Sequence, residues 1–202
     1  MPKGRVESFS DGVIAVLITI MVLELHIPAG TDWHALGHEL PVLLAYVISF
    51  VYLGTYWNNH HHMLAAVSRV NGAALWANLH LLFWLSLIPF TTAWMSEHRF
   101  PTIPTAVYGI VLFAAAIAYL ILQTTLVRAE GEHSRLRVAL GSDVKGKVTT
   151  LLYCLGIGLS FVDGWLGVAV YFAVAMVWLV PDRRVERHLS AVPTEPSGQA
   201  RQ

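Results

Sequence analysis

Polar side chains inside an otherwise apolar stretch are the first feature of this sequence that could do chemistry. Residues 9–27 are largely apolar but contain Ser10, Asp11, Thr19 and Glu24. In one interpretation the first two cap a helix start, where a side-chain oxygen satisfies free backbone N–H groups, and Thr19 bonds its own backbone. In the other, the helix lines a water-filled path that is narrowed by apolar rings. The pattern alone leaves both interpretations open.

Histidine is plentiful, at 10 residues, but its spacing does not favour a metal site. His60, His61 and His62 are consecutive, so on a helix each points about 100° away from the next and they cannot share one ion. His34 and His38 have the i, i+4 spacing that suits a shared zinc ion, but no third ligand is evident. We therefore interpret this second pair as solvated loop residues.

The sequence also gives no support for haem ligation or for enzymatic catalysis. His80 is expected about 14 Å deeper in the membrane than the histidine triplet, whereas two axial haem ligands need matching depths. The sequence contains no G-x-S-x-G, H-E-x-x-H or Walker pattern. The single cysteine, Cys154, cannot form a disulfide framework, and we expect it to be a small buried hydrophobe. The sequence thus predicts a protein that is not an enzyme and has no resident cofactor or metal ion.

The elements that position these residues must lie in a membrane. The chain has 202 residues, of which 55% are hydrophobic and 13% are charged. Soluble domains carry roughly 25% charged residues, so this chain could not cover a soluble surface, and its hydrophobicity excludes disorder. The formal net charge is zero and no basic run stands out, which excludes a nucleic-acid partner.

Charge-free stretches divide the chain into membrane spans of about 20 residues each. The predicted spans are 9–27, 40–58, 71–95, 103–126, 146–162 and 165–181. The last two are short and are joined at Asp163-Gly164, a pair typical of a tight turn. The expected fold class is all-α, an integral membrane protein with six transmembrane helices. Residues 1–181 form one transmembrane domain, and 182–202 form a polar C-terminal tail.

The placement of basic residues predicts the orientation of the spans. Twelve of the 13 Lys and Arg residues fall in the termini or in the loops on the same side, and only Arg99 falls on the other. Because cytoplasmic loops carry the excess of Lys and Arg, both termini are expected in the cytoplasm.

One string in the first span resembles a known family. Residues 5–15 read R-V-E-S-F-S-D-G-V-I-A, which is similar to the R-x-x-x-F-S-D-x-x-x-A signature of the transmembrane protein 175 family. This family comprises endosomal and lysosomal potassium channels and their prokaryotic relatives. Thr19, the segment 23–25 and the W-N-N-H-H string at 57–61 also resemble it. The animal proteins carry two six-span repeats and this chain carries one, so it resembles the bacterial form, in which four copies surround the pore.

The resemblance implies a homotetrameric potassium channel of the cell (plasma) membrane, with helix 1 lining a central pore. Its partners would be further copies of itself, the lipid bilayer and permeant potassium ions. The family's pore-lining and selectivity positions carry over onto Val16, Thr19, Ile20 and Leu23. Val16 is smaller than the Leu or Ile that is usual there, which implies a looser constriction. Apolar rings and a Thr19 ring would favour potassium modestly over sodium, because potassium sheds water more readily, and protons could also pass.

A second group of residues is expected to form a structural network at the cytoplasmic mouth. Its members are Arg5, Phe9, Ser10, Asp11, Trp57, Asn59 and His60. We expect Arg5 to pair with Asp11, with Trp57 and either Asn59 or His60 as neighbours. A buried aspartate without a cation is costly, so we interpret the network as structural rather than ion-binding.

A small proton-coupled secondary transporter is the alternative function. Pro89 interrupts the third predicted span, and broken helices mark the binding sites of many transporters. Transporters usually also contain internal repeats, and none is visible in this sequence.

Overall fold

The computed structural model describes residues 3–131 and 144–179, and every regular element within these two segments is an α-helix. In chain order the helices are α1 (Lys3–Leu23), α2 (Trp33–His38), α3 (Leu40–Ala65), α4 (Gly72–Ser86), α5 (Ile88–Glu97), α6 (Thr102–Glu130), α7 (Val144–Ser160) and α8 (Gly164–Leu179). The predicted all-α class is confirmed. The predicted tail, 182–202, lies outside the described residues.

Length and composition qualify four segments of the described chain as membrane spans. They are Lys3–Leu23, Leu40–Ala65, Gly72–Glu97 and Thr102–Glu130, and the third combines α4 with α5. Helices α7 and α8 lie where the last two spans were predicted but contain only 17 and 16 residues. Length therefore identifies four of the six predicted spans.

The first helix begins earlier and ends earlier than the predicted span 9–27. The described part of α1 begins at Lys3, and that side chain reaches the end of α3, where its Nζ donates to the carbonyl oxygens of Ala65 and Val67 at 3.2 and 3.1 Å. These carbonyls at a helix C-terminus have no partner within the helix, and a cation there is favourable. The polar start of α1 is thus held in place by a contact over 60 residues away.

The predicted interruption of the third span is confirmed. α4 ends at Ser86, and α5 begins at Ile88 with Pro89 in its first turn, where a missing backbone N–H is tolerated. The hydroxyls of Thr91 and Thr92 donate to the carbonyl oxygens of Leu87 and Ile88 at 2.9 and 2.7 Å. At the break itself the Leu87 N–H donates to the Trp84 carbonyl oxygen at 3.2 Å, so the two helices are joined by a tight turn.

The helices pack around α6. α4, α5 and α7 lie along α6, α7 and α8 form a hairpin, and α1 lies against α3, α4 and α5. At the hairpin turn, Asp163 Oδ1 accepts a bond from the Trp165 N–H at 2.8 Å, so the predicted turn at Asp163-Gly164 is confirmed. This packing covers one side of α1 and leaves the other side bare.

Candidate functional site

Helix α1 buries one face against its own chain and exposes the other. The buried residues are Val6, Ser10, Ile14, Leu17 and Met21, at spacings of three or four. On the opposite face Val16, Ile20 and Leu23 are 53%, 39% and 80% exposed, and Thr19 is exposed between them. The four predicted pore-lining residues therefore share one face that no part of the described chain covers.

The hydroxyl of Thr19 is oriented by its own helix. Its Oγ1 donates to the carbonyl oxygen of Val16 at 2.9 Å. A hydroxyl has one proton and two lone pairs, so this bond uses the donor and leaves the lone pairs free. Thr19 consequently presents the negative end of a dipole on an otherwise apolar face.

An exposed chain of contacts, which we call the mouth link, joins α1 to α3 near the N-terminal end of α1. It consists of Glu7, Asp11, Trp57 and His61. The indole Nε1 of Trp57 donates to Asp11 Oδ1 at 3.0 Å, and the His61 ring stacks on the indole with centroids 6.2 Å apart. His61 Nδ1 lies 3.1 Å from Glu7 Oε1. Two carboxylates of α1 are therefore held by one surface of α3.

A buried network joins α1, α3 and α4 directly behind the mouth link, and its members are Ser10, His60 and Asn78. His60 Nε2 lies 2.7 Å from Asn78 Oδ1, Asn78 Nδ2 donates to Ser10 Oγ at 2.9 Å, and Ser10 Oγ donates to the Val6 carbonyl oxygen at 2.9 Å. An amide oxygen only accepts, so His60 Nε2 must carry the proton. The fully buried Nδ1 has no partner among the described residues.

The predicted mouth residues thus divide into two groups. Ser10, Asp11, Trp57 and His60 make contacts between helices, of which the Trp57–Asp11 bond is the expected one. The predicted pair of Arg5 with Asp11 is not formed within residues 3–131 and 144–179, where the carboxylate of Asp11 accepts from Trp57 instead. Residues six apart on a helix point about 120° away from each other, so the two charges lie on different sides of α1.

The other two predicted mouth residues lie outside both networks. Phe9 is 55% exposed beside the uncovered face of α1. Asn59 is partly buried, and its backbone carbonyl oxygen accepts from the Tyr119 hydroxyl at 3.3 Å. Its side chain faces the interior of the helix bundle rather than the mouth.

Three contributing residues were not predicted: Glu7, His61 and Asn78. For Asn78 the sequence did carry a signal, because an amide inside a span must find a partner among neighbouring helices. Glu7 and His61 belong to polar flanking segments, in which many ion pairs are equally compatible with the sequence.

No group of three or more His, Cys, Asp or Glu side chains within the described segments could hold a metal ion. The rings of His34 and His38 meet edge to face at 4.7 Å, and an Arg99 guanidinium nitrogen lies 3.1 Å from His38 Nδ1. The guanidinium has no acceptor, so it donates to His38 Nδ1 and engages that nitrogen. Cys154 is exposed on α7, so the prediction that it is buried is wrong.

Known proteins resemble this chain along most of its length. A sequence profile described as "Endosomal/lysosomal potassium channel TMEM175" matches residues 5–89. A potassium channel of Chryseobacterium sp. (strain P1-3) is 51% identical over 94% of this chain and 98% of its own length. A potassium channel of Streptomyces collinus is 36% identical over 87% and 91% of the two chains.

Among solved structures, the fold is similar to the crystal structure of a lysosomal potassium-selective channel TMEM175 homolog from Chamaesiphon minutus. The TM-score is 0.74 at 29% sequence identity, and the match covers 90% of this chain and 97% of that one.

Proposed function

This chain belongs to the TMEM175 family, and from that premise we propose that it is a potassium-selective cation channel in which four copies surround a pore lined by α1. The observation that carries the proposal is the uncovered face of α1, which displays Val16, Thr19, Ile20 and Leu23. The names of relatives that match nearly end to end support the same activity.

The chemistry of that face suits a narrow cation path. Rings of Val16, Ile20 and Leu23 make an apolar neck, and a dry neck is a barrier that a hydrated ion crosses only by losing part of its water shell. Potassium loses water more readily than sodium, so the neck favours potassium modestly. Thr19 lies within this face and turns oxygen lone pairs outward, which stabilises a partly dehydrated cation and disfavours an anion.

The membrane arrangement is part of the proposal. A helix of 17 residues is about 26 Å long, close to the roughly 30 Å of a bilayer core, so the α7–α8 hairpin completes six spans with little local thinning. Twelve of the 13 Lys and Arg residues fall on the side of the two termini, which we assign to the cytoplasm. The chain would then reside in the plasma membrane of a bacterium.

The transporter alternative rested on the broken third span. The break between α4 and α5 exists, but the Leu87 N–H at the break donates to the Trp84 carbonyl oxygen, and the hydroxyls of Thr91 and Thr92 bond carbonyl oxygens of their own turn. A cavity within the described residues lies elsewhere, between α3, α6, α7 and α8. The break therefore offers no evident binding site for a transported substrate.

Reversal potentials in mixed potassium and sodium test the proposal. Leu23→Ser should wet the neck, raise the current and bring the reversal potential closer to the unselective value. Thr19→Val, which removes a dipole at constant shape, should lower the conductance. The matched control is Leu17→Ala on the buried face of the same helix, which should leave selectivity unchanged. If Leu17→Ala shifts the reversal potential and the other two variants do not, α1 does not line the pore as proposed.

A further inference from the structure

The uncovered face of α1 continues onto α3. The two surfaces adjoin because the Trp57 indole of α3 bonds Asp11 of α1. The exposed side of α3 carries Val47, Phe50 and Trp57, whereas other sides of the same helix bond α5 and α8 of their own chain. Helix α3 therefore extends the bare surface of α1 and does not close it.

Two aromatic side chains lie at the cytoplasmic end of this surface. Phe9 is 55% exposed and Trp57 is 44% exposed. Phe9 lies about 9 Å from the start of α1 and Trp57 about 12 Å from the end of α3, and both helix ends are on the side assigned to the cytoplasm. The two rings are therefore at nearly the same depth in the membrane. Phe9 makes no ring contact within residues 3–131 and 144–179.

The two rings of one chain lie on different sides of α1. Phe9 and Asp11 are two residues apart, so they point about 160° away from each other around the helix. The Trp57 indole donates to Asp11 and so lies on the side away from Phe9. Gly12 lies between these two sides within the uncovered face, and a Cβ added there would meet open space in the described chain. The chain thus presents an aromatic ring on each side of an open gap.

The proposed ring of four copies, on which this inference rests, determines by its symmetry what fills the gap. In a closed ring each contact joins one side of a subunit to the other side of the next. The Phe9 side of one α1 then meets the side of the next copy that carries Asp11 and Trp57. We propose that Phe9 of each copy packs against Trp57 of the next copy, in the space beside Gly12. The partner of this surface is a second copy of the chain.

The chemistry of the contact suits a subunit boundary at the mouth. Two exposed aromatic rings lose contact with water when they pack together, and aromatic pairs gain further from the attraction between ring edges and faces. The Trp57 ring is held in one orientation because its N–H bonds Asp11 and the His61 ring stacks on it. A glycine at position 12 lets neighbouring membrane helices approach closely. The mouth link thereby fixes the docking ring as well as α1, and it sets the distance between adjacent pore helices.

Cross-linking between two differently tagged subunits tests the contact. Phe9→Cys and Asn58→Cys are made separately in a Cys154→Ala background and co-expressed, so that any product with both tags comes from two copies. Asn58 is exposed beside Trp57, and its side chain makes no hydrogen bond within the described segments. With a short bismaleimide in membranes we expect the doubly tagged product. Thr124→Cys replaces Asn58→Cys in the control, because Thr124 is exposed at a similar depth on α6, and it should give no such product.

A substitution at Gly12 tests the space between the rings. In its own chain the added Cβ of Gly12→Leu has nothing within 4 Å, but the side chain fills the gap that Phe9 of the next copy enters. We expect light scattering in detergent to show loss of the tetramer while the helical content stays that of the parent. Gly158→Leu adds the same side chain at another open glycine, on α7, and should leave the tetramer intact.

The outcomes separate this contact from the proposed pore. A tetramer that conducts potassium without forming the doubly tagged product would overturn the contact of Phe9 with Trp57 and leave the proposed function standing. A tetramer that persists in Gly12→Leu would overturn it as well. If that variant does not fold, the cross-linking result decides. A parent protein that is monomeric and carries no current would remove the proposed function and this inference together.

Discussion

At the scale of single residues, the two polar connections between α1 and α3 differ in the medium around them. The Trp57–Asp11 bond of the mouth link is exposed, whereas Ser10 and His60 are fully buried and Asn78 nearly so. An exposed group that loses its partner can bond water, but a buried one carries the full desolvation cost. The buried network should therefore dominate the attachment of α1.

Asn78→Leu tests this ranking. The substitution keeps the volume but leaves His60, already unpaired at Nδ1 among the described residues, without its partner at Nε2 as well. Stranding such a group costs about 1–3 kcal/mol, so we expect a clear fall in the thermal midpoint of the purified protein. The comparison is Trp57→Phe, which breaks only the exposed bond and should cost below about 1 kcal/mol. Equal losses in the two variants would show that burial does not set the ranking.

Some site residues could be predicted from the sequence and others could not, depending on whether local spacing or tertiary packing places them. Val16, Thr19, Ile20 and Leu23 could be assigned to one face because helical spacing is a local property of the sequence. The partner of Asp11 could not, because the indole of Trp57 is 46 residues away and only the packing of α3 brings it close. Arg5 was the nearer cation in sequence, but it points to another side of the helix.

At the scale of elements, one aromatic side chain of the hairpin packs between three helices. The Tyr171 ring of α8 lies where Gly109 of α6 and Gly156 of α7 have no side chains, and a Cβ at either glycine would overlap it. The Tyr171 hydroxyl reaches the Thr105 carbonyl oxygen and Ser160 Oγ, both at 3.4 Å. Three helices therefore meet at a rigid ring.

Two glycines of α7 should respond to the same substitution with opposite signs. In Gly156→Ala the new methyl group overlaps the Tyr171 ring, and overpacking of this kind typically costs about 1–3 kcal/mol. At Gly158 nothing lies within 4 Å of the added Cβ, so Gly158→Ala should stabilise the helix by up to about 1 kcal/mol. Thermal unfolding in detergent measures both changes. Destabilisation of similar size at the two sites would contradict the packing described for Tyr171.

The elements also show which boundaries a sequence can define. The break near Pro89 was predicted because proline acts on its own turn, and the turn at Asp163 because its side chain bonds a backbone N–H two residues on. The first span was predicted from residue 9, but the chain is already helical at Lys3, whose partner carbonyls belong to the far end of α3. Helix boundaries set by local chemistry can be predicted from the sequence, whereas boundaries set by tertiary contacts cannot.

At the scale of the whole molecule, the distribution of basic residues predicts the orientation in the membrane. Arg99 is the one basic residue assigned to the outer side, and there it bonds His38 on the short helix α2. We expect tags on both termini to be cut by protease in inside-out vesicles and protected in sealed right-side-out vesicles. A reporter inserted beside Asp32, in the loop before α2, is the control and should show the reverse pattern. Protection of one terminus only would mean an odd number of spans.

The proposed fourfold pore makes a prediction that requires several copies of the chain. If Leu23 residues of four copies ring one axis, Leu23→Cys in a Cys154→Ala background creates four converging thiols. Soft thiolates acting together bind a soft cation such as Cd²⁺ far more tightly than one thiolate does. We therefore expect Cd²⁺ to block the current of this variant reversibly, at concentrations that leave the Cys154→Ala parent conducting.

The control for that block is a buried position on the same helix. Leu17→Cys buries its thiol against its own chain, where Leu17 is 7% exposed, so Cd²⁺ should have no effect on its current. Co-expression of Leu23→Cys and parent subunits adds a stoichiometric test, because block should weaken steeply as the fraction of cysteine-bearing subunits falls. Insensitivity of the all-cysteine channel, or sensitivity of Leu17→Cys alone, would mean that the uncovered face of α1 meets lipid rather than a shared axis. That face is the one large apolar surface of α1 that the described part of its own chain leaves uncovered. The outcome therefore decides whether this surface meets lipid or three further copies of the chain.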